Sequence, residues 1–260
     1  MIKAAFFDID GTLVSLKTKV YPQSAPAAIA ALRKKGIACY VATGRSKFEI
    51  AEEGLLDGMV FDGYLTNNGQ DSYTPKGELL WGTPVHPEDV RTAYNWAKDN
   101  HIVCWMVSAQ QSLMSHVDEA VIEAMEAIHT KLPPIGDLAP MLEHPVYKVV
   151  LFTSREKIME LLPTVPHSRT TQWYDLGQDI ISQKGGKKLC MLELLSRLGI
   201  DPSEVIAFGD SENDIEMLQA AGIGVAMYNG TPECKAAADF IAPDCDEDGI
   251  LRALQHFRLL

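Results

Sequence analysis

IKAAFFDIDGT, Ile2 to Thr12, opens the chain, and its reading decides the fold. Ile2 to Phe7 is a short, largely apolar run without polar alternation, which suits a strand buried on both faces. The strand ends where the acids begin. Asp8 and Asp10 leave it one residue apart, and Gly11 lets the backbone turn sharply. Ala25 to Lys35 is alanine-rich at helical spacing, with Gly36 as a cap, and Ile37 to Ala42 reads as a second buried strand, which completes a βαβ unit. The alternation returns late in the chain: a helix over Leu189 to Leu198, a strand over Val205 to Phe208, a helix over Asp214 to Ala221 and a strand over Gly224 to Ala226. This order predicts an α/β fold, a doubly wound, mostly parallel, Rossmann-like sheet covered by helices.

The middle of the chain reads differently. Pro84-Val85-His86-Pro87 precedes an expected helix over Glu88–Asn100, a strand over Val103–Val107, a helix over Glu119–His129 and a strand over Tyr147–Phe152. These form a second, smaller α/β unit inserted into the first. Turn-rich residues at Gly82–Pro87 and Gly177–Gly186 mark its edges as short hinges. The expected division is therefore residues 1–83 and 184–260 as the core, with residues 84–183 as an inserted cap or lid.

Composition narrows the function classes. The chain has 260 residues, 47% hydrophobic, enough for a sizeable core. Thirty-five acidic against 23 basic residues give a net charge of −12, and no stretch gathers Lys and Arg with interleaved aromatics, so nucleic acid is excluded as a partner. Cys39, Cys104, Cys190, Cys234 and Cys245 are odd in number, scattered, and form no C-x-x-C pair. They read as reduced thiols of a cytoplasmic protein. Nor does any segment approach ~20 uninterrupted apolar residues, so membrane insertion is not expected.

Four segments sit where buried strands end or helices open, the crevice in which parallel sheets bind ligands. In DIDGT, Asp8 to Thr12, two neighbouring carboxylates call for a hard divalent cation such as Mg²⁺. One acid can then attack phosphorus while the other handles the leaving-group proton. In VATGR, Val41 to Arg45, the Thr43 hydroxyl and the backbone N–H groups around Gly44 make a phosphate cradle. KGGKK, Lys184 to Lys188, precedes a helix and can offer an ammonium to phosphate oxygens. GDSEND, Gly209 to Asp214, places Asp210 at a strand end for the metal, with Asp214 four residues on at a helix start.

Taken singly, each segment also has an ordinary structural explanation: a turn, a strand exit, a solvated basic surface, a capped helix. Their order and placement carry the argument. Other features carry no chemistry. Asp244, Asp246 and Asp248 imitate a calcium loop, but Gln255 stands where that loop needs a Glu, so the segment reads as a capped final helix. Gly222-Ile-Gly224 precedes a strand rather than a helix, unlike a dinucleotide fingerprint. The seven histidines show no metal-ligand spacing. Trp96, Trp105, Met106 and Met114 read as core of the insert.

The four segments, in this order, resemble the motifs of the haloacid dehalogenase-like superfamily. Asn67-Asn68-Gly69, Leu198-Gly199-Ile200, GDSENDIEML and Asp246-Glu247-Asp248-Gly249 are similar to its Cof-type sugar-phosphatase branch, as is an α/β cap inserted between the second and third motifs. The resemblance covers Ile2–Gln70 and about Lys184–Leu260. It implies a phosphatase acting on a small phosphorylated metabolite, with Asp8 as nucleophile and Asp10 as general acid and base. It further implies Thr43 and the Gly44 amide on the phosphoryl group, Arg45 reaching the substrate, and Asn213 fixing the lysine or the phosphate. Mg²⁺ is implied on Asp8, the Asp10 carbonyl and Asp210, with Asp214 behind them. The third-motif lysine is open at this point: counting back from Leu198-Gly199-Ile200 selects Lys187, counting from the Lys-Gly pair selects Lys184, and Lys188 adjoins both. Phosphoryl transfer between positions of a sugar uses the same core chemistry, and a non-catalytic phosphometabolite sensor is the remaining alternative.

Overall fold

The computed structural model describes residues 1–127 and 130–260, which divide into two compact units, Met1–Trp81 with Gly186–Leu260, and Gly82–Gly185. The first unit begins with β1 (Ala4–Phe7), α1 (Ser24–Lys34), β2 (Ala38–Ala42), α2 (Lys47–Glu53), β3 (Gly63–Thr66), β4 (Asp71–Tyr73) and β5 (Leu79–Gly82). The second holds α3 (Pro87–Asp99), β6 (Cys104–Ser108), β7 (Ser112–Met114), α4 (Glu119–Ala127), β8 (Val146–Phe152), α5 (Arg155–Leu161), β9 (Ser168–Tyr174) and β10 (Gly177–Ser182). The chain then returns to the first unit with α6 (Lys187–Leu198), β11 (Val205–Gly209), α7 (Ile215–Ala220), β12 (Ile223–Met227), α8 (Pro232–Ala237), β13 (Phe240–Ala242) and α9 (Gly249–His256).

The first unit's sheet runs β13-β12-β11-β1-β2-β3-β4-β5. It is parallel from β13 to β3 and turns antiparallel at β4. Side chains alternate across it as the pleat requires. Ala5, Phe7, Cys39, Val41, Ile206 and Phe208 enter one core with α1 and α9, whereas Ala4, Phe6, Tyr40, Val205 and Ala207 enter the opposite one with α6 and α7. Both faces are covered, which is why β1 lacks a polar stripe. β1 also separates the early strands from the late ones, so its carboxyl end is the switch point of the sheet.

The second unit has its own antiparallel sheet, β7-β6-β8-β10-β9. Its core gathers Val90 and Ala93 of α3, Cys104, Met106, Val149, Leu151 and Ile180 of the sheet, and Ile158 and Leu161 of α5. Trp105, Met106 and Met114 are buried, as their apolar character predicts. Of the helix expected over Glu119–His129, Glu119–Ala127 is helical, and residues 128 and 129 lie outside the described residues. The segment Gly177–Gly186 corrects the turn-rich reading. Gly177–Ser182 is a wholly buried strand paired with β8 and β9, and the ladders on both sides override the turn preference of Gly177 and Asp179. No helix among the described residues is long and apolar enough to cross a membrane.

Candidate active site

The carboxyl ends of β1, β2, β3 and β11 bring one set of polar side chains together. Asp8 follows β1 and is 5% exposed. Gly11, at φ +83°, has the Asp210 carboxylate lying where a Cβ would stand, so only glycine lets the two loops meet. Asn229 supports this turn, donating to the Gly11 carbonyl at 2.7 Å and accepting from the Cys245 N–H at 3.0 Å.

Lys187, the first residue of α6, sends its ammonium into the cluster. Its Nζ donates to Asp8 Oδ1 at 2.7 Å and to Asp214 Oδ1 at 2.6 Å, with no side-chain exposure. Lys184 is exposed and Lys188 half-buried. The start of α6 is positioned by Gly69, at φ +72°: a Cβ there would fall about 2.5 Å from the Gly186 carbonyl carbon. Asn67 and Asn68 share the left-handed conformation, at φ +51° and +58°. Asn side chains tolerate this region better than most. Asp71 holds the turn, accepting from Thr66 Oγ1, from Asn67 Nδ2 at 3.0 Å and from Tyr73 Oη at 2.9 Å.

Asp214 uses both oxygens structurally. Oδ1 accepts from Lys187, and Oδ2 accepts the N–H groups of Asp210 at 3.0 Å and Ser211 at 3.1 Å. Asp210 is thereby fixed at the end of β11, with one carboxylate oxygen each from Asp8, Asp210 and Asp214 within 4.8 Å of one another. Burial pushes the Asp8 carboxyl well above the usual carboxylate range; Lys187 opposes this, and the charges of Asp214, Asp210 and Asp10 add to it. Burial, then Asp214, pushes Asp210 up to about 7. Burial pulls the Lys187 ammonium down, but Asp214 and Asp8 outweigh it and keep it firmly charged. Three buried carboxylates therefore face one ammonium, and the deficit equals one divalent cation. Hard oxygen donors of this kind fit Mg²⁺, with Asp8 and Asp210 as the carboxylates that would hold it.

Thr43 follows β2 and is buried, its Oγ1 accepting from the Arg45 N–H at 3.1 Å. Gly44 is pressed against Asn68, whose Oδ1 would lie 3.0 Å from a Cβ. The Arg45 guanidinium grips Asp10 through Nε at 2.6 Å and Nη2 at 2.8 Å, while Nη1 donates to Glu53 at 2.8 Å. These charge-assisted bonds aim Asp10.

The haloacid dehalogenase-like hydrolase model matches residues 5–254 of the chain. The chain belongs to the haloacid dehalogenase-like hydrolase family. A Streptococcus pyogenes protein whose name pairs a phosphatase with a peptidyl-prolyl cis-trans isomerase is 30% identical over 100% of this hydrolase, which spans only 54% of that relative. YkrA of Bacillus subtilis, named for a phosphatase, is 29% identical, covering 99% of this chain and 98% of its own. Among solved structures, BT4131, a subclass IIB sugar phosphatase, matches with a TM-score of 0.86 at 31% identity, covering 99% of this chain and 100% of that one. The family resemblance and the expectation of a phosphatase agree with these findings.

In this hydrolase the structure brings Asp8, Lys187, Asp210 and Asp214 into one cluster, and Asp10 beside Arg45. Two of the expected residues hold partners within the chain. Arg45, expected to reach substrate, is engaged by Asp10 and Glu53, the carboxylates nearest its fork. Asn213, expected on the lysine or the phosphate, donates to Asn68 Oδ1 at 2.8 Å, because Asp8 and Asp214 already hold the lysine. Sequence reasoning passed over Glu53, Asp71 and Asn229. Asp71 opens β4 and is buried with it, and no local pattern in the sequence marked it.

Proposed function

We propose that this chain is a Mg²⁺-dependent phosphatase that hydrolyses a small organic phosphate monoester, a sugar phosphate or similar metabolite, through a phosphoryl group carried on Asp8. The observation that carries this reading is the Lys187 ammonium fixed between Asp8 and Asp214 beside Asp210. Hydrolysis of a phosphate monoester needs a nucleophile, neutralisation of phosphoryl oxygens, and a proton donor for the leaving alkoxide. Bound Mg²⁺ supplies Lewis-acid stabilisation of phosphoryl charge. Asp8 attacks phosphorus while Asp10, once it has taken up a proton and left the Arg45 fork, gives that proton to the leaving oxygen, and the substrate P–O bond breaks. Asp10, now a carboxylate, takes a proton from a water whose oxygen attacks phosphorus, releasing inorganic phosphate and restoring Asp8. Lys187 holds the Asp8 carboxylate in one orientation, and Arg45 does the same for Asp10. Thr43 and the Gly44 amide bind the phosphoryl oxygens.

All of these residues lie in the first unit, so substrate selection falls to the inserted unit. The name of BT4131 supports a sugar phosphate, and the five buried, unpaired cysteines support a cytoplasmic setting. The test is phosphate release from a panel of sugar, nucleotide and cofactor monoesters, with Mg²⁺ and with chelator. Mg²⁺-dependent release on some members is expected; a folded, Mg²⁺-loaded protein silent on the whole panel sinks the reading.

A further inference from the structure

Three side chains of the inserted unit converge that the phosphoryl chemistry does not use. His86 directly precedes α3, Asp89 lies in its first turn, and His167 directly precedes β9. The two imidazole rings lie 4.2 Å apart, centroid to centroid, tilted by 41°. One donor atom from each of the three residues falls within 4.8 Å of the other two. Both histidines are exposed, whereas Asp89 is 2% exposed.

The group is held in place from below. Asp89 Oδ2 accepts the His167 N–H at 2.9 Å and the Ser168 hydroxyl at 2.7 Å, so the carboxylate fixes the chain that carries one imidazole. Pro87, the first residue of α3, restricts the chain that carries the other. We propose that His86, Asp89 and His167 bind one divalent transition-metal ion of the zinc type. Two imidazoles distinguish such an ion from Mg²⁺, which prefers oxygen donors. Tetrahedral bonds of about 2.0–2.2 Å set neighbouring donor atoms roughly 3.4 Å apart. Binding therefore requires the two exposed rings to rotate about their own side-chain bonds from the present separation to that spacing. With both hydrogen bonds on Oδ2, Oδ1 is the oxygen the ion takes, and solvent completes the shell. The ion then ties the start of α3 to the start of β9.

Calorimetric titration of the full chain with Zn²⁺ in excess Mg²⁺, repeated with Co²⁺ and read by visible absorption, tests the site. One equivalent of Zn²⁺ is expected on the wild type. His86→Ala and His167→Ala should each weaken it at least about tenfold and abolish the intense Co²⁺ bands. Asp210→Asn, which dismantles the carboxylate cluster of the first unit, should keep both signals. Circular dichroism verifies that the surface histidine variants are folded. Uptake unchanged in both histidine variants, or no Zn²⁺ uptake in excess Mg²⁺, overturns the site and leaves a tilted imidazole pair in contact.

Discussion

Charge is buried in opposite ways at two places, at Asp89 of the inserted unit and in the carboxylate cluster of the first unit. In the inserted unit the buried Asp89 has neutral company, accepting from a backbone N–H and a hydroxyl. In the first unit, Asp8, Asp210 and Asp214 crowd a single lysine. Like charges forced together destabilise the metal-free fold, and an arrangement that costs stability without a cation points to chemistry. Buried charge alone is therefore a weak marker of function; buried charge left in excess is a strong one.

The largest effects should fall on the first cluster. Asp8→Asn is expected to fold normally and to lose at least about 10⁴-fold in Mg²⁺-dependent phosphate release, because no neighbouring group can replace its nucleophilic oxygen. Sustained turnover would show that Asp8 carries no phosphoryl group. Lys187→Ala should cost at least roughly 10³-fold, since it removes the ammonium and leaves Asp8 and Asp214 facing one another uncompensated. Lys184→Ala should stay within about threefold of wild type, its side chain being exposed. Steady-state kinetics on the two lysine variants separates the alternatives, and equal losses would defeat the contrast.

These residues also show how far the sequence could be read. The parallel sheet was legible because β1, β2 and β11 are short apolar runs whose two-sided burial leaves no polar alternation to mislead. The positions of Asp8 and Asp210 were legible because each follows such a strand, whereas the choice of Lys187 over Lys184 and Lys188 was not settled by local pattern. Arg45 and Asn213 lie in the expected loops, and the protein partners they hold there, Asp10 with Glu53 and Asn68, were not legible. Backbone position follows from local pattern, whereas the pairing of Arg45 with Asp10, or of Asn213 with Asn68, depends on contacts between loops distant in sequence. β10 was missed for a similar reason: Gly177 and Asp179 favour turns locally, and only its pairing with β8 and β9 makes it a strand. The His86–His167 pair was invisible because no fixed spacing relates helix α3 to strand β9.

A smaller effect follows from protonation. Asp210 sits at about 7 in the folded chain, against an ordinary carboxylate near 3.9 when unfolded. The folded state thus holds this proton more tightly. The stability so gained is full below about pH 4 and is lost as pH rises to about 7. Mg²⁺ needs the ionised carboxylates, so it competes with protons at low pH and offsets their repulsion at high pH. The Mg²⁺-induced rise in Tm should be slight at pH 5 and several degrees at pH 8. Asp210→Asn should abolish the difference, while equal shifts at both pH values would remove the link between burial and metal demand.

The smallest effect should come from the inserted unit, where the same kind of substitution tests the other half of the contrast. Asp89→Ala removes the acceptor shared by the His167 N–H and the Ser168 hydroxyl, leaving two donors in a largely buried place. Such donors cost about 1–3 kcal/mol when unsatisfied. Losing a carboxylate from the first turn of α3 adds a few tenths of a kcal/mol, because that end of the helix favours negative charge. Denaturant unfolding of chelator-treated protein should register the loss, with Asp89→Asn milder because its amide oxygen still accepts. Phosphate release should stay within about twofold, since no step of the proposed chemistry passes through this carboxylate. A catalytic loss comparable to that of Lys187→Ala, at unchanged stability, would mean that the charge in the inserted unit belongs to the phosphoryl chemistry.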